Sequence, residues 1–146
     1  MDRKEFLQAS CTGVCAAFSS GFIMSALLAA CKTPLGVVKT SAKNNIVTIP
    51  LTEFAVADYK LVRVSNYNYD LAVQKMPGGA YLALVLKCTH ASQPLTKTGD
   101  KYYCTLHGSQ FSHEGTVLKG PAERNLTSLK TTIINGNLLL ELNQLI

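Results

Sequence analysis

Two short motifs that pair a cysteine with a histidine lie close together in the second half of the chain. One residue separates Cys88 from His90, and two residues separate Cys104 from His107. The remaining histidine is His113, and the other three cysteines all fall within the first 31 residues. Thiolate and imidazole are both good metal ligands. The spacing therefore predicts a metal centre built from two loops.

The order of the ligands favours one kind of metal centre over another. Structural zinc sites usually group like ligands, as a C-x₂₋₄-C pair followed by an H-x₃₋₅-H pair. In this chain each pair is mixed, so each loop would supply one cysteine and one histidine. Mixed pairs suit a [2Fe–2S] cluster in which two thiolates hold one iron and two imidazoles hold the other. Structural zinc remains the alternative.

The residues around the ligands resemble those of Rieske [2Fe–2S] proteins. The sequence CTLHGSQF from Cys104 resembles the second cluster-binding loop of that family, usually written C-P-x-H-G-S-x-F/Y, and CTH resembles the first. The family's proline loop, which covers the cluster, is matched by Gly120, Pro121 and Ala122. The resemblance extends over residues 80–126. It implies four cluster ligands: Cys88, His90, Cys104 and His107.

The chain departs from the family at positions that affect the redox potential. High-potential members have two further cysteines that form a disulfide between the loops, and the corresponding residues here are Gln93 and Leu106. Quinol-oxidising members have a tyrosine that hydrogen-bonds a ligand sulfur, whereas this chain has Phe111. The serine that bonds a bridging sulfide in the family is present as Ser109. The resemblance is therefore to the disulfide-lacking type, and Ser109 and Phe111 are expected to tune the cluster.

The charge of the chain indicates no nucleic-acid partner. The formal net charge is +5, from 14 Lys and Arg against 9 Asp and Glu. Between Lys39 and Lys130 the basic residues are scattered, without a run or a basic helix interleaved with aromatic residues. Such a surface is typical of a solvated domain, and its positive charge can also steer the protein towards an acidic redox partner.

The N-terminal segment resembles a bacterial export signal. Residues 6–30 contain no charged side chain, and this uncharged segment is long enough to span a bilayer. The sequence RKEFL from Arg3 resembles the twin-arginine motif, with lysine in the second place. The sequence LAAC that ends at Cys31 resembles a lipobox, in which Cys31 would be lipidated. An uncleaved transmembrane anchor is the alternative. Both interpretations, the lipidated Cys31 and the uncleaved anchor, predict a membrane-anchored domain at the periplasmic face of a bacterial cell envelope.

The rest of the chain predicts an all-β domain. Short segments rich in β-branched and aromatic residues alternate with turn signals such as Asn135-Gly136. The predicted strands are residues 46–49, 59–64, 69–74, 80–86, 101–104, 116–118, 130–134 and 138–142. We expect a Rieske-like antiparallel β-sandwich with both cluster-binding loops at one end, preceded by the apolar segment. The predicted domains are an export signal or anchor (1–30), a tether (31–44) and the cluster domain (45–146).

These features predict a one-electron carrier that has no substrate site of its own. The chain lacks a second set of histidines and carboxylates that could hold a mononuclear iron. The expected partner is a redox protein, such as a quinol-oxidising or cytochrome complex in a respiratory or other redox chain. One alternative is a ferredoxin-type electron donor to an oxygenase. The other, from a different class, is a structural zinc module.

Overall fold

The computed structural model describes residues 36–142, and nearly all regular structure in this range is β. The strands are β1 Val37–Thr40, β2 Ile46–Pro50, β3 Tyr59–Val64, β4 Leu71–Lys75, β5 Tyr81–Val85, β6 Thr96–Thr98, β7 Lys101–Tyr103, β8 Gln110–Ser112, β9 Val117–Lys119, β10 Ser128–Ile134 and β11 Asn137–Glu141. A single-turn 3₁₀ helix, Leu51–Phe54, connects β2 to β3. The predicted all-β class is confirmed, and every predicted strand has a counterpart.

Seven strands form the larger sheet, in the order β1-β3-β4-β5-β10-β11-β2. Neighbouring strands are antiparallel except β1 and β3, which run parallel. Asn135 and Gly136 join β10 to β11 with φ angles of 49° and 75°. Two consecutive left-handed residues are what a two-residue hairpin requires, so the predicted hairpin is confirmed.

The first strand lies in the segment that the sequence predicts as a tether. Val37 stands opposite Leu61 and Thr40 opposite Val64, so β1 pairs with β3 along its whole length. Residues 37–40 therefore belong to the sheet rather than to a free tether. The sequence does not reveal this strand because it lies at an edge of the sheet, where its residues alternate only between exposed and half-buried.

Four short strands form the smaller sheet, which is antiparallel in the order β6-β7-β8-β9. All four come from residues 86–127, between β5 and β10, which are neighbours in the larger sheet. The smaller sheet thus belongs to one excursion from the larger sheet, and both cysteine–histidine motifs lie in the loops of this excursion. The sequence does not predict β6 and β8, because β6 (Thr-Lys-Thr) contains no apolar residue and β8 (Gln-Phe-Ser) contains one.

The strands β4 and β5 are buried on both faces because they stand between two hydrophobic cores. On β5, Ala83 belongs to the core of the larger sheet and Leu84 to the core shared with the smaller sheet. Double burial explains why residues 80–86 are almost continuously apolar. The second core also contains Cys88 and Cys104, so both candidate sulfur ligands are anchored in packed interior.

The predictions for residues 1–30 and for Cys31 lie outside the part of the chain that the structure describes. Within residues 36–142, no helix has the length and apolar character needed to cross a membrane. The division of the chain at residue 30 stays a prediction, and β1 extends the folded domain to the N-terminal side of the boundary predicted at residue 44.

Candidate metal centre

The first cysteine–histidine motif forms a turn that backbone hydrogen bonds close. The amide of Cys88 donates to the carbonyl of Gln93 at 2.7 Å, and the amide of Ser92 donates to the carbonyl of Cys88 at 2.9 Å. Ser92 has a left-handed φ of 54°, which reverses the chain at this point. The turn points its cysteine inward and its histidine outward: Cys88 is 1% exposed, whereas His90 lies at the surface.

The second motif closes through the same two bonds. The amide of Cys104 donates to the carbonyl of Ser109 at 2.9 Å, and the amide of Gly108 donates to the carbonyl of Cys104 at 3.0 Å. Gly108 has a φ of 81° and occupies the place that Ser92 takes in the first turn. Cys104 is fully buried and His107 is exposed. The two turns are therefore equivalent in backbone structure.

The two turns bring like donor atoms together. The Nδ1 atoms of His90 and His107 are 3.2 Å apart, with the ring centroids 5.0 Å apart and the rings inclined at 75°. The side chains of Cys88 and Cys104 lie within hydrogen-bonding reach of each other and form no disulfide. The site consequently has a pair of sulfurs in the interior and a pair of nitrogens at the surface.

This arrangement fits a cluster with two irons. Two nitrogens 3.2 Å apart can bind one iron, because at the usual metal–imidazole distance of about 2.1 Å they subtend an angle of about 100°. Within residues 36–142, no group of three or more Cys, His, Asp and Glu side chains is arranged to hold a single metal ion, and the donors form two separate pairs instead. In a [2Fe–2S] cluster with mixed ligands, each pair binds its own iron.

Hydrogen bonds favour the thiolate form of Cys88. Burial raises the pKa of this thiol, but hydrogen bonds outweigh burial and leave the pKa below its ordinary value. The donors are, in decreasing order, the amides of Ala91 and His90 and the side chains of Cys104 and Ser109. They favour the thiolate, which is the form that ligates metals.

Ser109 connects the second turn to the loop that the sequence predicts as the cluster cover. Its side chain is fully buried, and its Oγ accepts a hydrogen bond from the amide of Ala122 at 3.1 Å. The same side chain interacts with the thiol of Cys88. In the loop, the peptide bond between Gly120 and Pro121 is cis and Ala122 is 3% exposed. The loop therefore packs against the second turn, and its role as the cover of a cluster stays a prediction.

Phe111 lies in the core that contains the candidate sulfur ligands. It is fully buried and stands opposite Tyr102 in the pairing of β7 with β8. It belongs to the same packed core as Cys88 and Cys104. Its ring fills this space but provides no hydrogen-bond donor to the sulfurs.

Two residues that the sequence does not single out also hold the first turn. The hydroxyl of Thr89 donates to the carbonyl of Arg124 at 2.6 Å, which connects the turn to the chain just after the proline loop. The hydroxyl of Tyr69 donates to the carbonyl of Ser92 at 2.8 Å. Thr89 stands inside the motif and could have been found there, whereas Tyr69 precedes its partner by 23 residues and carries no local signal.

Comparison with known families identifies the domain. A model of the Rieske [2Fe-2S] domain matches residues 46–130, which is more than half of the chain. The chain belongs to this family, and domains of the family bind a [2Fe–2S] cluster. The resemblance inferred from the two motifs is confirmed.

Individual relatives agree with the family assignment. The chain is 36% identical over 73 residues to the mitochondrial Rieske subunit of the cytochrome b-c1 complex of Gallus gallus. The aligned region covers 48% of this chain and 26% of the relative. It is 30% identical over 61 residues to iron-sulfur subunit 3 of the cytochrome b6-f complex of Nostoc sp.. That aligned region covers 40% of this chain and 34% of the relative. The chain thus spans about a quarter to a third of the length of these curated relatives.

A solved structure shows the same fold. The plasma membrane Rieske protein PetC3 of the cyanobacterium Synechocystis PCC 6803 superposes with a TM-score of 0.52 at 24% identity. The match covers 65% of this chain and 98% of that one. The predicted Rieske-like β fold is confirmed.

Ser109→Ala is expected to destabilise the domain by about 1–3 kcal/mol, because the buried amide of Ala122 loses its acceptor. Ser112→Ala is the matched control: Ser112 Oγ also accepts an amide hydrogen bond at 3.1 Å, from Thr116, but is only half-buried, so water can replace it. Urea unfolding of both variants measures the difference. Equal destabilisation of the two variants would show that the contact between Ser109 and the proline loop contributes no more to the free energy of unfolding than the control contact does.

Proposed function

We propose that the chain is a one-electron carrier whose [2Fe–2S] cluster is held by four ligands. Cys88 and Cys104 would bind one iron, and His90 and His107 would bind the other. The observation that carries this proposal is the pairing of sulfur with sulfur in the interior and nitrogen with nitrogen at the surface. When bound, the cluster supplies reversible one-electron chemistry.

The groups around this site would stabilise the additional negative charge of a reduced cluster. Amide and hydroxyl donors around Cys88 stabilise negative charge on sulfur in apolar surroundings. Two ligands are neutral imidazoles, so the site carries less negative charge than one with four thiolates, and an added electron is accepted at a higher potential.

The exposed tip of the site offers a route for the electron. His90 and His107 lie at the surface, and Leu106 beside them is 54% exposed. A redox partner that packs against this small apolar tip would approach the imidazole-bound iron directly. Because the chicken and Nostoc relatives are subunits of cytochrome b-c1 and b6-f complexes, we favour a quinol-oxidising cytochrome complex as partner.

A ferredoxin-type donor to an oxygenase is the second candidate. Gln93 and Leu106 replace the disulfide of the high-potential branch, and Phe111 replaces its tyrosine. These three residues favour a lower potential than that of the high-potential branch. The measured potential therefore helps to separate the two functions.

The N-terminal residues bear on where the carrier works. We propose that residues 1–30 direct export, that Cys31 is lipidated, and that residues 45–146 contain the cluster domain. The uncharged stretch of residues 6–30 and the LAAC sequence before residue 32 support this. The domain would then be anchored to the membrane at the periplasmic face of the cell envelope, where an oxygenase ferredoxin would not be expected.

Protein matured in a host that assembles iron–sulfur clusters is expected to contain about two irons and two sulfides per chain. Cys88→Ser and Cys104→Ser should lose the iron and the visible absorption, since the oxygen is a poorer ligand for a cluster. His113→Ala is the control, because His113 is exposed and lies in the turn after β8. Elemental analysis that finds stoichiometric zinc instead of iron would favour the structural zinc module.

The midpoint potential of the domain is expected in the lower part of the range of about −150 to +300 mV that His-ligated clusters span. Phe111→Tyr should raise it by tens of millivolts, because a donor near the ligand sulfurs stabilises the reduced, more negative state. Ser109→Ala should lower it. Protein-film voltammetry measures the midpoint potentials of the wild type and the two variants. A wild-type potential near the top of the range would contradict the inferred effect of the missing disulfide and tyrosine.

The mature protein in a bacterial membrane fraction is expected to begin at a lipid-modified Cys31. Mass spectrometry of the N-terminal peptide provides the test, and Cys31→Ser should abolish the modification. A peptide that retains Met1 would establish the uncleaved transmembrane anchor instead.

A further inference from the structure

The first ligand turn is hydrogen-bonded to the loop that connects β3 to β4. The hydroxyl of Tyr69, between β3 and β4, donates a hydrogen bond of 2.8 Å to the carbonyl of Ser92. We propose that Tyr69 is a positioning residue for the first ligand turn, and that this bond supplies part of the restraint that a disulfide provides in other members of the family. The proposal rests on the ligand assignment given under the proposed function.

The bond attaches where the turn closes. Ser92 is the residue whose amide donates to the carbonyl of Cys88 at 2.9 Å, and its φ is 54°. The next residue, Gln93, accepts the amide hydrogen bond of Cys88 at 2.7 Å. Gln93 also occupies one of the two positions of the missing disulfide, so Tyr69 restrains the turn beside the point where a covalent bond would have held it.

The next residue, Asp70, is itself held in place by three hydrogen bonds. The carboxylate of Asp70 accepts two hydrogen bonds from the guanidinium of Arg63, at 2.9 and 2.7 Å. The carbonyl of Asp70 accepts the amide hydrogen bond of Leu86 at 2.9 Å. Because Leu86 is two residues before Cys88, the pair Tyr69 and Asp70 holds the chain on both sides of the ligand turn.

The Tyr69 ring is also oriented by its neighbours. It packs edge-to-face against Tyr67, with the ring centroids 5.9 Å apart, and the ammonium of Lys87 lies 5.3 Å from the Tyr69 centroid. Tyr69 is half-buried against the core of the larger sheet. Little side-chain freedom is therefore lost when its hydroxyl bonds to Ser92.

The restraint matters for the sulfur of Cys88. The amides of His90 and Ala91 hydrogen-bond to this sulfur only while the turn keeps its shape. If the turn loosens, the sulfur loses donors that stabilise negative charge, and the reduced state of the site is disfavoured. Removal of the Tyr69 hydroxyl should thus weaken the retention of iron and lower the potential.

The test compares Tyr69→Phe with Tyr67→Phe in the full chain. Each variant removes one hydroxyl from one of two adjoining half-buried rings, but only the Tyr69 hydroxyl bonds to Ser92. The amides of Cys88 and Ser92 close the first turn, so their hydrogen exchange in Tyr69→Phe should accelerate about threefold to tenfold, the effect of one hydrogen bond. The amides of Cys104 and Gly108, which close the second turn, should exchange as in the wild type. Iron loss to a chelator should accelerate by a similar factor.

The potential provides a readout that loss of stability alone would not change. A threefold change in the reduction equilibrium lowers the midpoint of Tyr69→Phe by about 28 mV, at 59 mV per tenfold change. Tyr67→Phe should match the wild type in all three measurements. The positioning role is overturned if Tyr69→Phe also matches the wild type while the wild type holds its cluster. A wild type without iron would instead refute the proposed function.

Discussion

The two sulfurs proposed as cluster ligands would carry negative charge in an apolar interior, and the structure around them meets this requirement. A buried charge is costly unless hydrogen bonds and an opposite charge compensate it. Backbone amides of the first turn and the hydroxyl of Ser109 supply the hydrogen bonds around Cys88. The cluster irons would supply the positive charge. The two β-sheets supply the dry surroundings, because Cys88 and Cys104 belong to the core that the sheets share.

The equivalence of the two turns explains how mixed motifs produce matched pairs of ligands. In both turns the amide of the cysteine donates a hydrogen bond to the carbonyl of the residue five positions later, and the residue before that one is left-handed. The cysteines therefore enter the core in the same way. The histidines leave the turns at different offsets, yet their Nδ1 atoms come within 3.2 Å. The backbone of the turn, more than the spacing of the motif, fixes where the ligands meet.

The sequence predicts the parts of this protein that depend on local patterns. The ligand motifs and the proline loop stand in short, specific sequences, and strands such as β3, β5 and β11 show clear apolar patterns. The edge strand β1 and the three-residue strands β6 and β8 lack such patterns, so only the pairing in the fold reveals them. The bond from Tyr69 to Ser92 is invisible for another reason: it joins residues 23 positions apart, through a side chain with no motif around it.

The proposed cluster contains two chemically different irons, each bound by its own pair of ligands. Mössbauer spectroscopy of the reduced protein, enriched in the detectable iron isotope, distinguishes these two irons. Two iron environments are expected in equal amounts, one ferric with thiolate ligands and one ferrous with imidazole ligands. A single iron environment, or two that change together on reduction, would contradict this proposal.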